Sequence, residues 1–126
     1  LKIVFPLHPR TKNNIDLYDM KFSRNVICTK PLAYIDFLGL MAKSFIVVTD
    51  SGGIQEETTI LKIPCLTLRD NTERPETIDS GFGKLVNTEI EKNLNFLFEK
   101  NDQNLDNPYG TNVSKKITSI LENEYI

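Results

Sequence analysis

The sequence predicts an α/β protein built on a parallel sheet with helices on both faces. Short apolar, β-branched runs alternate five times with segments whose apolar residues recur at helical spacing. Glycine, proline and small polar residues punctuate the junctions, as βαβ units require.

Leu1 to Leu7 (LKIVFPL) reads as a buried strand that ends near Pro6, because proline cannot donate to a ladder. Pro9 to Tyr18 reads as a short helix, with proline at its start and Ile15 and Tyr18 three apart. Asn25 to Thr29 is a second strand, and Pro31 breaks the chain. Tyr34, Phe37, Leu38 and Met41 then fall at i, i+3, i+4 and i+7, an amphipathic helix with its stripe inward. Ile46 to Thr49 is the third strand, Ile54 to Leu61 the next helix, and Cys65 to Leu68 the fourth strand. The polar loop Arg69 to Glu76 leads to a helical turn over Glu76 to Asp79 that stops at Gly81. Lys84 to Val86 is a fifth strand; Ile90, Leu94, Leu97 and Phe98 mark another helix. Asn101 to Gly110 is dense in turn formers, and Val113, Ile117, Ile120 and Leu121 mark a terminal helix. No repeat or second domain is evident, so residues 1–126 read as one domain.

Composition removes several classes of function. A chain of 126 residues with 40% hydrophobic residues can bury a core without staples. A net charge of −2 argues against a general grip on nucleic acid. No apolar run approaches the roughly 18 residues that span a bilayer, and the N-terminus lacks a signal-peptide layout. Cys28 and Cys65 both sit in strand-like runs and are expected to be buried free thiols of a reducing, cytoplasmic compartment. One histidine and no paired cysteines leave a metal site without support. The leucine start, already inside a strand, reads as a piece of something longer.

The stretch TDSGGIQEE, Thr49 to Glu57, holds the chemistry. In parallel sheets, ligands gather at the carboxyl ends of strands. Ser51-Gly52-Gly53 occupies such a loop, and the helix after it presents unpaired amides and a partial positive charge. Glycines let a phosphate approach those amides, and Ser51 can add a hydroxyl. The alternative is a serine N-cap with glycines needed only for the bend. Glu56 reads as an acid complementing the helix start. Glu57, four residues after Gly53, shares the loop's face and suits a sugar diol, so phosphate and ribose together would describe a nucleotide. RDNTERPE, Arg69 to Glu76, follows the next strand and thus the same sheet edge; Arg74 is suited to phosphate, unless the loop is merely a solvated one.

TDSGGIQEE and LRDNTERPE, with PLAYIDFLGLM and FPLHPRT upstream and NPYG before the last helix, closely resemble the UDP-N-acetylglucosamine 2-epimerases over nearly the whole chain. The resemblance implies a GT-B architecture of two Rossmann-like domains, of which this chain is most of the C-terminal, UDP-binding one. It implies that Ser51, Gly52 and Gly53 hold the diphosphate, that Glu57 binds the ribose and that Phe37 lies beside the uracil. Arg74 would line the substrate site, and His8 would lie near the sugar end of the cleft. Core packing is the alternative for Phe37, and closing a strand the alternative for His8. Ala33 stands where several bacterial relatives carry a polar residue close to the base.

The implied reaction inverts C2 of UDP-N-acetylglucosamine, by elimination of UDP to a glycal and re-addition to the other face, without a cofactor. Its proton-moving acids belong to the N-terminal domain, the expected partner, in a full-length homodimer. Catalytic residues are therefore not assigned within this chain, and alone it should bind nucleotide weakly and turn over nothing. A hydrolysing epimerase that releases N-acetylmannosamine needs the same diphosphate grip. An epimerase acting on a diacetamido sugar, a non-catalytic nucleotide-sugar module and a plain GT-B glycosyltransferase are the remaining alternatives.

Overall fold

The structure, a computed structural model, describes residues 1–97 and 107–125. It resolves into two compact units, residues 1–40 and 41–126. All strand pairings among the described residues are parallel, but the strands form two sheets, one of two strands and one of three.

In the first unit, β1 (Ile3–Pro6) pairs with β2 (Val26–Thr29) from Ile3 opposite Val26 to Pro6 opposite Thr29. The strand stops at Pro6 as proline chemistry dictates, and Leu7 N–H still reaches Thr29 O at 3.0 Å. Between them runs α1 (Pro9–Leu17), which starts on proline and is capped by His8. Phe5 and Phe22 meet edge to face, with ring centroids 6.1 Å apart. The helix α2 (Tyr34–Met41) follows, all but its last residue in this unit, and its apolar stripe is graded: Tyr34 is exposed, Phe37 and Leu38 are half-buried, and Met41 is buried. Cys28 is exposed on β2, contrary to the expectation that both thiols are buried; only Cys65 is. Strand composition says that a side chain alternates between two faces, not which face is covered.

The second unit is β3 (Val47–Thr49), α3 (Gly52–Ile60), β4 (Cys65–Thr67), α4 (Pro75–Asp79), β5 (Gly83–Leu85), a 3₁₀ segment (Glu91–Leu97) and α5 (Val113–Tyr125). The sheet order is β3-β4-β5, with Val47 opposite Cys65 and Cys65 opposite Gly83. The central β4 is wholly buried, as a parallel strand covered on both faces should be. Leu66 and Val86 form the core, with Ile46 and Ile90 packed against them. Gly83 is required by close approach: a β-carbon there would lie 3.0 Å from Thr77 O and 3.1 Å from Ile78 Cδ1.

The segment marked by Ile90 and Leu94 is a 3₁₀ segment rather than an α-helix. Phe98, and the turn-rich stretch from Asn101 up to residue 106, lie outside the described residues. On α5 the stripe Val113, Ile117, Ile120 and Leu121 is about half exposed. Among the described residues no helix is long and apolar enough to cross a membrane.

Candidate nucleotide-phosphate site

Thr49 ends β3 and immediately shapes the turn: its Oγ1 accepts from Ser51 N–H at 3.1 Å. Ser51 then takes the extended N-cap conformation, with φ −88° and ψ 127°. Its hydroxyl makes no capping hydrogen bond, so the reading of Ser51 as a side-chain cap fails and the hydroxyl stays available. The first hydrogen bond of the helix ladder runs from Gln55 N–H to Ser51 O at 3.2 Å. The amides of Gly52, Gly53 and Ile54 therefore precede the ladder and face out from the positive end of α3.

Because α3 begins at Gly52, it carries no acid in its first turn. Glu56 is one turn further on and does not serve as the helix-start acid expected of it. Its Oε1 instead forms an ion pair with Arg74 Nε. The sequence gives no sign of this pairing, since Glu56 lies in α3 and Arg74 at the start of α4, and the two meet only through the fold. Glu57 is half-buried, and its carboxylate takes neither hydrogen bond nor ion pair among the described residues.

The loops after β3 and β4 are joined by a residue that sequence reasoning passed over. Gln55 is fully buried, and its Oε1 accepts from Thr72 Oγ1 at 2.8 Å. Thr72 Oγ1 in turn accepts from Arg74 N–H at 3.0 Å. The Gln55 backbone carbonyl is anchored from below by the hydroxyls of Thr58 and Thr59, each at 2.9 Å. Arg74 is thereby fixed at the start of α4: its carbonyl accepts from Thr77 Oγ1 at 2.8 Å, and its Nη1 reaches Glu73 O at 3.2 Å. Pro75 at the first helical position needs no amide partner there.

Two further groups complete the surroundings. Glu73 bonds Arg69 Nη1 at 3.0 Å, while a β-carbon on Gly52 would stand 2.9 Å from Glu73 Oε1. Tyr109, from the NPYG turn, has its hydroxyl buried and without a hydrogen-bond partner among the described residues. Burial first, then the fields of Glu56 and Glu76, push that phenol above its usual range, against a smaller opposing effect of Arg74. The late turn thus returns to the Glu56–Arg74 pair, which its sequence position does not announce. A polar hollow of about 310 Å³ opens alongside, lined by Arg69, Asp70, Asn87, Glu89 and Asn93 among others.

Ser51, Gly52, Gly53, Glu57 and Arg74 therefore share one unit, on one sheet edge. His8 and Phe37 belong to the other. His8 is the N-cap of α1, accepting from Arg10 N–H through Nδ1 at 3.2 Å, so part of its chemistry is structural. Phe37 is half-buried within α2. A hollow of about 380 Å³ opens at the carboxyl ends of β1 and β2, lined by Leu7, Pro9, Lys12, Cys28, Lys30 and neighbouring residues.

The chain has relatives among proteins of known sequence and structure. The profile of the UDP-N-acetylglucosamine 2-epimerase family matches residues 1–122. The UDP-N-acetylglucosamine 2-epimerase of Methanocaldococcus jannaschii is 41% identical over 126 residues, covering 94% of this chain and 34% of that protein. The crystal structure of the Methanocaldococcus jannaschii UDP-GlcNAc 2-epimerase in complex with UDP-GlcNAc and UDP superposes with a TM-score of 0.82 at 41% identity, over 97% of this chain and 36% of that one. The Neisseria meningitidis enzyme bound to UDP-GlcNAc gives a TM-score of 0.73 at 39% identity, over 98% of this chain and 36% of that one. The chain spans about a third of the length of these relatives. On a profile that runs from the first residue nearly to the last and a backbone that follows theirs, the chain belongs to the UDP-N-acetylglucosamine 2-epimerase family.

Proposed function

We propose that this chain is the UDP-binding domain of a UDP-N-acetylglucosamine 2-epimerase, and that residues 1–126 act as that single domain within the longer protein. The diphosphate sits on the amides of Gly52, Gly53 and Ile54, with the Ser51 hydroxyl as a further donor. The observation that carries this is the tip of α3: a serine hydroxyl without a cap bond and amides ahead of the ladder, beside Arg74. Glu57 binds the ribose hydroxyls, since its carboxylate is uncommitted among the described residues. Phe37 stacks beside the uracil, and His8 faces the sugar end while capping α1.

The chemistry follows from charge. Eliminating UDP from the sugar builds negative charge on the departing diphosphate. Donors already aimed at that position stabilise it without rearranging at the moment of bond breaking. Arg74 supplies the full positive charge, with its backbone fixed by Thr72 and its charge moderated by Glu56. The acids that move protons at C2 and C3 belong to the N-terminal domain of the longer protein. That protein is a cytoplasmic homodimer.

Incubating the full-length protein with UDP-N-acetylglucosamine and following the sugar by NMR tests the assignment. The expected product is UDP-N-acetylmannosamine, with no turnover by the excised domain. Free N-acetylmannosamine plus UDP would identify the hydrolysing reaction instead. An unchanged substrate would sink the enzymatic reading and leave a binding module.

A further inference from the structure

Glu73 stands where its charge opposes a phosphate. Its Oε1 lies over Gly52, 2.9 Å from where a β-carbon would be, at the first residue of α3. Its other oxygen accepts from Arg69 Nη1 at 3.0 Å. The neighbouring fixed charges are Arg69 and Arg74, the latter paired with Glu56. A hydrogen bond from its own backbone N–H, and then the field of Arg69, hold the Glu73 carboxyl below the usual range, so it is an anion at neutral pH. An anion at the positive end of a helix is favourable while the seat is empty. Next to a diphosphate the same carboxylate is a like charge at short range.

We propose that Glu73 is a built-in competitor for the diphosphate seat: its carboxylate rests on the Gly52 tip in the unliganded protein and moves off as the diphosphate arrives, retained by Arg69. This deepens the diphosphate assignment and rests on it. The movement is inexpensive, because the Glu73 side chain is 54% exposed and leaves no packed cavity behind. It also has a destination. Arg69 lines the polar hollow beyond β4 and β5 together with Asn87 and Asn93. The acids in that hollow are already engaged, Asp70 by Asn87 at 2.5 Å and Glu89 by Lys92. Gly52 leaves room for both states, since a β-carbon there would push against the resting carboxylate. The competitor weakens the grip on a highly charged leaving group and so hastens its release.

The test uses Glu73→Gln in the full-length protein, with calorimetric titration of UDP and of uridine. Glutamine keeps the size and exposure but removes the charge. The expected result is a Kd for UDP lowered about two- to fivefold, the scale of an exposed charge pair. Uridine, which lacks the phosphates, should bind unchanged. The gain should shrink in about 1 M salt, where the screening length is only a few ångströms. A variant that binds UDP no more tightly than wild type, or gains equally for uridine, overturns the proposal. A wild-type protein that ignores UDP altogether overturns the diphosphate assignment itself, so the two failures are distinguishable.

Discussion

Gln55 and Thr72, 17 residues apart in sequence, are joined by a partly buried hydrogen bond of 2.8 Å that ties the helix behind the glycine loop to the arginine loop. Thr72 is the hinge pin, because the hydroxyl that donates to Gln55 also accepts from Arg74 N–H. Replacing Thr72 by valine keeps the shape and strips both bonds. The buried Gln55 amide then loses the partner of its oxygen, and its Nε2 has none among the described residues. T72V should cost about 1–3 kcal/mol in urea unfolding and weaken UDP binding, because Arg74 loses its placement. T72S, which restores the hydroxyl, should recover most of both. Equal stability of T72V and wild type would show that the bond is incidental.

Glu57→Ala should separate binding from folding. Its carboxylate has no partner among the described residues, so the melting temperature should stay within about 2 °C of wild type. Losing two hydroxyl hydrogen bonds to a charged acceptor should raise the Kd for UDP by about 10-fold or more. Unaltered affinity would remove Glu57 from the ribose.

Two glycine substitutions should behave differently for a stated steric reason. In G83A the new methyl group meets backbone at 3.0 Å, which cannot move aside, and about 1–3 kcal/mol of stability should be lost. In G52A the methyl group meets only the end of the Glu73 side chain, which can swing away. G52A should therefore cost under about 1 kcal/mol. Reversed magnitudes in parallel urea titrations would contradict the packing described for α4 on β5.

The two thiols should titrate and react apart. Cys28 is exposed and Cys65 buried, so a thiol reagent should label this domain once quickly, and C28S should abolish the fast phase. Burial pushes the Cys65 thiol up, outweighing the opposing hydrogen bonds from Thr58 and Thr67. The folded protein then holds that proton where the unfolded chain releases it. Stability is unaffected below the usual thiol range and falls as pH rises through it. C65A should flatten this decline, and Y109F should remove a second decline of the same sign at the higher phenol range. A decline identical in C65A would assign it elsewhere.

The order of strands and helices was legible because each element writes its own period. β-branched runs such as Ile46-Val47-Val48-Thr49 end at small polar turns, and the four residues from Tyr34 to Met41 sit on one helical stripe. The SGG and RDNTERPE loops could be placed on one edge because parallel strands share a direction. What stayed hidden depends on tertiary contact. Glu56 looks like a helix-start acid until Gly52 is known to begin α3, and Tyr109 looks like a turn residue until its hydroxyl is found buried near Glu56. Gln55 lies within TDSGGIQEE, yet an amide in a helix announces neither burial nor partner. The exposure of Cys28, and the separation into two sheets, likewise depend on what surrounds a strand, which its own residues do not encode.

The ridge of Val113, Ile117, Ile120 and Leu121 along α5 bears on how the domain can be handled. Four half-bare aliphatic side chains on one flank make a self-adhesive strip, so the excised domain should clump as it is concentrated. Glutamate or lysine at positions 117 and 120 would blunt that strip without touching the glycine loop. Such a double substitution would make the isolated domain tractable at the millimolar concentrations that solution spectroscopy requires.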